Sequence, residues 1–428
     1  MKGLIIEELE TVDYLSLIKR MFEESKVLLE KIVGYIIPAF ESSLAESTTD
    51  ISELSEVKQE IIEEIQSQIA ITISRRMEKN LHLSFDDLGK LTMCSLEWIG
   101  YMDRFYPESN LQSMRLSLDN LGKCFLEKFH DDKKKEVSLL IETERWIPVE
   151  IPAVMGRTVY ELCQIEFLSE ADLLDFVEIQ GEKYHLTSVS LLFFKVISSY
   201  LSFIQSFSLI AFRIANRLIE LMRYFNLKIC QSILGASAIK TAGLKSVTAK
   251  HIALASRTVS LTKVMLRNIE QRILEFLEKE QTAIVKREFE RLFKDFEEHE
   301  NELLSKFLSI MLDRFTIHSK SFVALDWKFV DTVPSKPLTL LLKETATLHK
   351  VISQYLPHSV VNQIFQKLVT EYYNSLKTMI SFVELKTKEQ KQLLIKDVEI
   401  FTEEMDKFSE EQNDGSLLEA TEKAIILS

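Results

Sequence analysis

Residues 278–316 read EKEQTAIVKREFERLFKDFEEHENELLSKFLSIMLDRFT, thirty-nine positions without a glycine or a proline. Phe289, Leu292, Phe293, Phe296, Leu303, Phe307, Ile310, Met311 and Phe315 fall on one stripe of a 3.6-residue helix, while Lys and Glu fill the remaining faces. The spacing predicts a single long amphipathic helix that buries one side and solvates the other. The same economy of turn formers holds throughout. Gly and Pro number 10 and 7 in 428 residues, whereas together they make up about 12% of an average chain. A chain so poor in turn formers, with 46% hydrophobic residues, is expected to be all-α, an elongated rod of stacked helical bundles.

Outward from that helix the pattern repeats. A first helical stretch covers 13–40 and is expected to end near Pro38. Leu54, Val57, Ile61, Ile65, Ile69 and Ile73 mark a second stripe, and further helices are expected over 85–104 and 111–129. A charge cluster from His130 to Glu136 precedes Pro148 and Pro152, which disfavour helix at the residues before them and force an extended connection. Three segments follow from this: an N-terminal bundle (1–130), a connection (131–182) and a C-terminal bundle (183–428). VEIQGEKYHLT (177–187) alternates around Gly181 and is the one strand-like passage. The apolar run Val189–Phe212 approaches the roughly 20 residues that span a bilayer, but Lys195, Gln205 and six serines favour a core helix. LGASAIKTAGLKSVTAKHIALAS (234–256) is crowded with small residues and is expected to be the tightest packing site.

Net charge is −13, unfavourable for a general nucleic-acid binder. Between Leu186 and Glu270, however, eleven Lys and Arg face only Glu220 and Glu270. That polarity suits either a contact with an acidic partner or anionic membrane, or a merely solvated basic face. Four dispersed cysteines (Cys94, Cys124, Cys163, Cys230) read as buried thiols of a reducing compartment, and MKGLIIEELE carries no secretory-signal pattern. No phosphate loop, HExxH, GxSxG or EF-hand pattern occurs. Glu297, Glu298, His299 and Glu300 are consecutive, so on a helix they point in four directions and cannot converge on one metal. His318 and His349 read as core or boundary histidines. No catalytic residue, metal site or cofactor is implied, and the chain reads as a non-enzyme that presents surfaces to partners.

Five strings, in order, carry a resemblance: FLEKFHDDKKKEVSLLIETERW (125–146) with VEIP (149–152); FVEIQGEKYHLTSVSLLF (176–193); LMRYFNLKICQSILGASAIKTAGLKSVTAKHIALASR (221–257); TLHKVISQYLP (347–357); and KDVEIFTEEM (396–405). Together they resemble the vacuolar protein sorting-associated protein 54 family, subunits of the Golgi-associated retrograde protein complex. The resemblance implies a C-terminal half of that subunit, in a family roughly twice this length, with Ser237 where a glycine is usual. It implies tethering of endosome-derived carriers at the trans-Golgi network and promotion of SNARE-dependent fusion. Its partners would be the other subunits of the complex, SNAREs of the syntaxin class, and endosomal membrane bound peripherally from the cytosol.

A subunit of the related endosomal recycling tether, or a peripheral helical module for anionic lipid, are the competing readings. Within the third string Cys230, Gln231, Gly235, Ala236, Gly243 and Leu244 match the family and are expected to be packing positions. Lys240, Lys245, Lys250 and Arg257 are expected to carry their charges to solvent as a partner or membrane surface.

Overall fold

Helices in this chain stop where a proline, a cap or an exhausted apolar stripe stops them. The computed structural model describes residues 6–44, 51–107, 110–169, 171–234 and 247–409. In chain order it contains α1 (Thr11–Lys31), α2 (Ile37–Leu44), α3 (Ile51–Arg75), α4 (Met77–Asn80), α5 (Phe85–Phe105) and α6 (Gln112–Thr143). There follow β1 (Ile151–Pro152), α7 (Ala153–Leu162), β2 (Leu173–Leu174), β3 (Val177–Ile179) and β4 (Glu182–Tyr184). The chain then continues through α8 (Ser188–Ser206), α9 (Ala211–Leu234), α10 (Ala249–Leu274) and α11 (Lys279–Val323), and on to α12 (Lys336–Ile352), α13 (His358–Ile380) and α14 (Lys388–Asp406). The all-α class is as expected.

Two boundaries differ from the sequence reading. Pro38 does not end the first helix: a π turn over Ile32–Ile36 joins α1 to α2. The widened turn accommodates a residue that lacks an N–H and would clash with the carbonyl four positions back. The cluster His130–Glu136 is not the start of a connection either, because α6 runs through it to Thr143. Its charges find partners from within the helical state, Lys133 on Glu136 at 2.7 Å and Lys134 on Glu220 at 2.9 Å.

The chain forms two compact units, neither a continuous stretch. The first comprises Met1–Glu136, Val196–Leu221 and Ile269–Arg287; the second comprises Val137–Lys195, Met222–Asn268 and Glu288–Ser428. These differ from the three consecutive segments expected above, since α8, α9, α10 and α11 each contribute residues to both.

The first unit is organised by rings. Phe85, Phe125, Phe129, Tyr200 and Phe203 pack with centroids 4.8–5.9 Å apart, mostly edge to face, the arrangement the ring quadrupole favours. Gly122 is required beside them, because a Cβ there would lie 2.6 Å from a Phe207 ring carbon. The second half of α8 enters this core through Tyr200, Leu201, Phe203 and Ile204, all buried. Helix α8 is long and apolar enough to cross a membrane by length and composition, but more than half of it is buried inside the fold. Buried His130 stands 2.7 Å from the Tyr200 hydroxyl and 3.5 Å from Glu220. Burial would raise the Glu220 carboxyl, yet hydrogen bonds from Lys134 and Arg217 prevail and hold it at about 2.

In the second unit the expected turn at Gly181 is a two-residue hairpin, β3 pairing β4 with Val177 opposite Tyr184. Gln180 and Gly181 both take positive φ, 54° and 79°, as the tightest hairpin turn demands. A second ribbon lies outside the sequence expectation: Ile151 pairs with Leu174 and Pro152 with Leu173. Pro152 is tolerated there because its partner strand is only two residues long and the ribbon is all edge. Ser335 is the N-cap of α12, and its N–H donates to the fully buried Asp397 carboxylate of α14. Burial pushes that carboxyl up.

Candidate partner-binding surface

Helix α10 decides how the basic middle of the chain is used. From Ile252 to Thr262 all eleven residues are buried, so this half of the helix is enclosed on every side rather than along a stripe. Ala253, Ala255, Ser256 and Ser260 make that possible by keeping the cylinder thin. The polar members satisfy themselves on the backbone: Ser256 donates to the Ala253 carbonyl at 2.9 Å, Thr258 to Leu254 at 3.0 Å and Thr262 to Thr258 at 2.8 Å.

Arg257 lies in the middle of this run and is 4% exposed. A guanidinium cannot be left unpaired there, and the hairpin supplies its partners. Nη1 donates to Glu182 at 2.9 Å, Nη2 to the Lys183 carbonyl at 3.0 Å, and the group stacks 3.6 Å from the Tyr184 ring centroid. The Tyr184 hydroxyl in turn donates to Glu182 at 3.1 Å. The expectation that Arg257 presents its charge to solvent is therefore corrected: it fastens β3–β4 to α10.

The other cations of the segment are largely committed in the same way. Arg217 pairs with Glu127 and Glu220, Arg223 with Glu288 at 2.8 Å, and Lys263 with Glu300 at 2.5 Å. Arg267 and Lys228 lie over the rings of Phe293 and Tyr224. The charge imbalance along the sequence is in good part internal complementarity between segments distant in the chain. Lys250, in the first turn of α10, is half-buried with its Nζ 5.5 Å from the Tyr355 ring. Lys240 and Lys245 lie outside the described residues, as do Gly235, Ala236, Gly243 and Leu244. Of the remaining motif positions, Cys230 is buried on α9, its thiol pushed up to about 12 by burial. Gln231 is exposed and makes no packing position, because it follows Cys230 by 100° round the helix. Of the other thiols only Cys163 is buried; Cys94 is half-buried and Cys124 exposed.

Glu144 is a residue the sequence reading passed over. It is 4% exposed, and its two carboxylate oxygens accept from the Trp146 N–H at 2.9 Å and the Val189 N–H at 2.8 Å. A carboxylate at the open N–H groups of α8 satisfies donors that have no partner inside the helix. It also holds Trp146 at φ 53° with its side chain fully buried. The signal that could have found it is an acid beside a buried-type Trp just before two prolines.

Among the described residues no group of three or more His, Cys, Asp or Glu is placed to hold a metal ion. Glu300 turns to Lys263 while Glu297 and Glu298 face solvent. His318 pairs with Glu344 at 3.2 Å, and His349 packs against the Phe365 and Phe408 rings.

Residues 181–314, from the hairpin turn into α11, match the family model described as Vps54-like protein. Vacuolar protein sorting-associated protein 54 of Homo sapiens is 25% identical over 338 residues, which cover 77% of this chain and 32% of the human protein. The Mus musculus protein of the same name is 26% identical over 275 residues, 62% of this chain and 27% of its own length. That of Drosophila melanogaster is 23% identical over 276 residues, 62% and 28% respectively. The chain thus matches about a third or less of the length of these curated relatives.

Proposed function

We propose, with membership of the Vps54-like family over residues 181–314 as the premise, that the chain is a non-catalytic subunit of the Golgi-associated retrograde protein tethering complex. In that role it would sit on the cytosolic face of trans-Golgi network and endosome membranes. There it would bind the other subunits and syntaxin-class SNAREs, and so promote fusion of endosome-derived carriers. The family match carries the reading, and it covers the part of the chain where the Arg257 clamp and the enclosed half of α10 lie. The burial of α8 favours peripheral attachment over a membrane span. Lys240, Lys245 and Lys250 are the residues proposed to meet acidic headgroups or an acidic partner segment.

Recovery of the tagged full chain from cytosol tests the assignment. The expected result is co-purification of the remaining subunits together with a syntaxin; recovery of the chain alone, under conditions where the complex is intact, overturns it. Reversal of Lys240, Lys245 and Lys250 to Glu is expected to leave helicity unchanged and reduce recruitment to endosomes. Normal recruitment of the folded variant would assign those charges to solubility.

A further inference from the structure

Helices α11 and α12 leave a groove along their outer side. Its floor is Met311 and Leu348, nearly buried, and Ile310, Leu340 and Val351 line it above them, together with Ala249 of α10. The groove is open to solvent, with a volume of about 350 Å³. Leu340 is 40% exposed, and Ile317, seven residues beyond Ile310 on the same face of α11, is 56% exposed. Among the described residues nothing covers these large apolar groups.

The rim is basic in a chain that is acidic overall. Arg314 and Lys343 line the groove and are exposed. Lys336, Lys343 and Lys350 repeat at seven-residue spacing along one face of α12, all three exposed. None of these four forms an ion pair among the described residues. The one acid lining the groove, Glu344, already faces His318, and Asp313 lies about 100° round α11 from Arg314.

We propose that this groove receives a short acidic amphipathic helix of another polypeptide. Two helices with an apolar channel lined by both offer ridges and a groove that a third helix completes. From Leu340 to Val351 the channel is about 16 Å long at 1.5 Å per residue, three turns of a partner. Leucines of that partner at three- and four-residue steps would cover Met311, Leu340, Leu348 and Val351. Its flanking carboxylates would meet Arg314 on one side and Lys343 and Lys350 on the other. A lipid surface is disfavoured because a plane cannot reach a floor as recessed as Met311, 4% exposed, and Leu348, 8% exposed. This proposal does not depend on the tethering role.

The test uses the full chain and a fluorescent synthetic helix of four turns, with leucines on one face and glutamates on both flanks. Saturable binding is expected, weakening with added salt and lost at least about tenfold in the double variant Arg314→Glu, Lys343→Glu. The single variant Leu340→Asp, at an already exposed position, should lose a similar amount, with circular dichroism unchanged in both. Equal binding of a scrambled peptide, or undiminished binding by the variants, overturns the proposal. So does preferential loss, in the same variants, of binding to phosphatidylserine vesicles rather than to the peptide. A dimer of the chain that dissociates in the double variant would make a second copy the occupant and overturn it as well. Failure to recover other tether subunits from cytosol bears on the assignment above and leaves this measurement untouched.

Discussion

Helices α10 and α11 follow each other in the chain and use opposite solutions to the same problem. From Ile252 to Thr262, α10 is buried all round, thin, and carries a guanidinium in its centre. Helix α11 buries one stripe, including Phe289, Leu292, Phe296, Leu303 and Phe307, and leaves Lys294, Glu297, Glu298 and Lys306 on its outer faces wholly or partly in water. The family match spans α10 and reaches Arg314 in α11. From Ile252 to Thr262 every side chain of α10 has neighbours that limit its size; on α11 only the buried stripe is so confined. An enclosed helix therefore constrains its sequence residue by residue, and an amphipathic one only by period.

Substitutions test that contrast directly. Phe307→Ala on the buried stripe of α11 should cost most, about 3–5 kcal/mol, by removing a fully buried ring; a chemical denaturation midpoint is the readout. Arg257→Ala should cost about 3 kcal/mol, the low end for breaking a buried pair because Glu182 remains part-exposed. Arg257→Lys should not restore it, since one ammonium cannot serve both Glu182 and the Lys183 carbonyl. Ala255→Leu should cost about 1–3 kcal/mol by overpacking an enclosed helix. If instead it is neutral, α10 is not confined on that side.

Glu220→Gln probes the first unit. Its carboxyl is held low when folded, so its contribution is present above about pH 4.5 and is lost as pH falls towards 2. After discounting for its 41% exposure, the loss at neutral pH should be about 1 kcal/mol, vanishing in acid. Glu297→Ala on the outer face of α11 should change stability by less than about 0.5 kcal/mol. A larger effect there would mean that face is covered.

The long helices were legible because period and absent breakers act locally. The stripe placed α11 at 278–316, and it runs on to Val323 because Phe322, seven residues after Phe315, continues the same face. The hairpin at Gly181 was legible for the same reason. What escaped was set by residues far apart. Arg257 looks like a surface charge in the sequence because its partner Glu182 lies 75 positions away. Glu144 has no local pattern to mark it because the donor it serves, Val189, lies 45 positions away. The ribbon of Ile151 and Leu174 depends on pairing, which no run of two residues announces. Charge summed along the chain cannot tell an outward face from one half of an internal pair.

The interleaving of the two units has a consequence for how the molecule is made. Synthesis delivers α1 to α6 first, but the rings of α8 that complete their core, and the last stretch of that unit, Ile269–Arg287, come much later. At ordinary elongation rates the delay between Glu136 and Phe203, which brings the ring partners of Phe125 and Phe129, is roughly three to thirteen seconds. During that interval Phe125, Phe129 and their neighbours are apolar surface on a nascent chain, waiting for a partner that has not yet been translated. The ribosome-bound intermediate, rather than the finished protein, is then the species most in need of a chaperone.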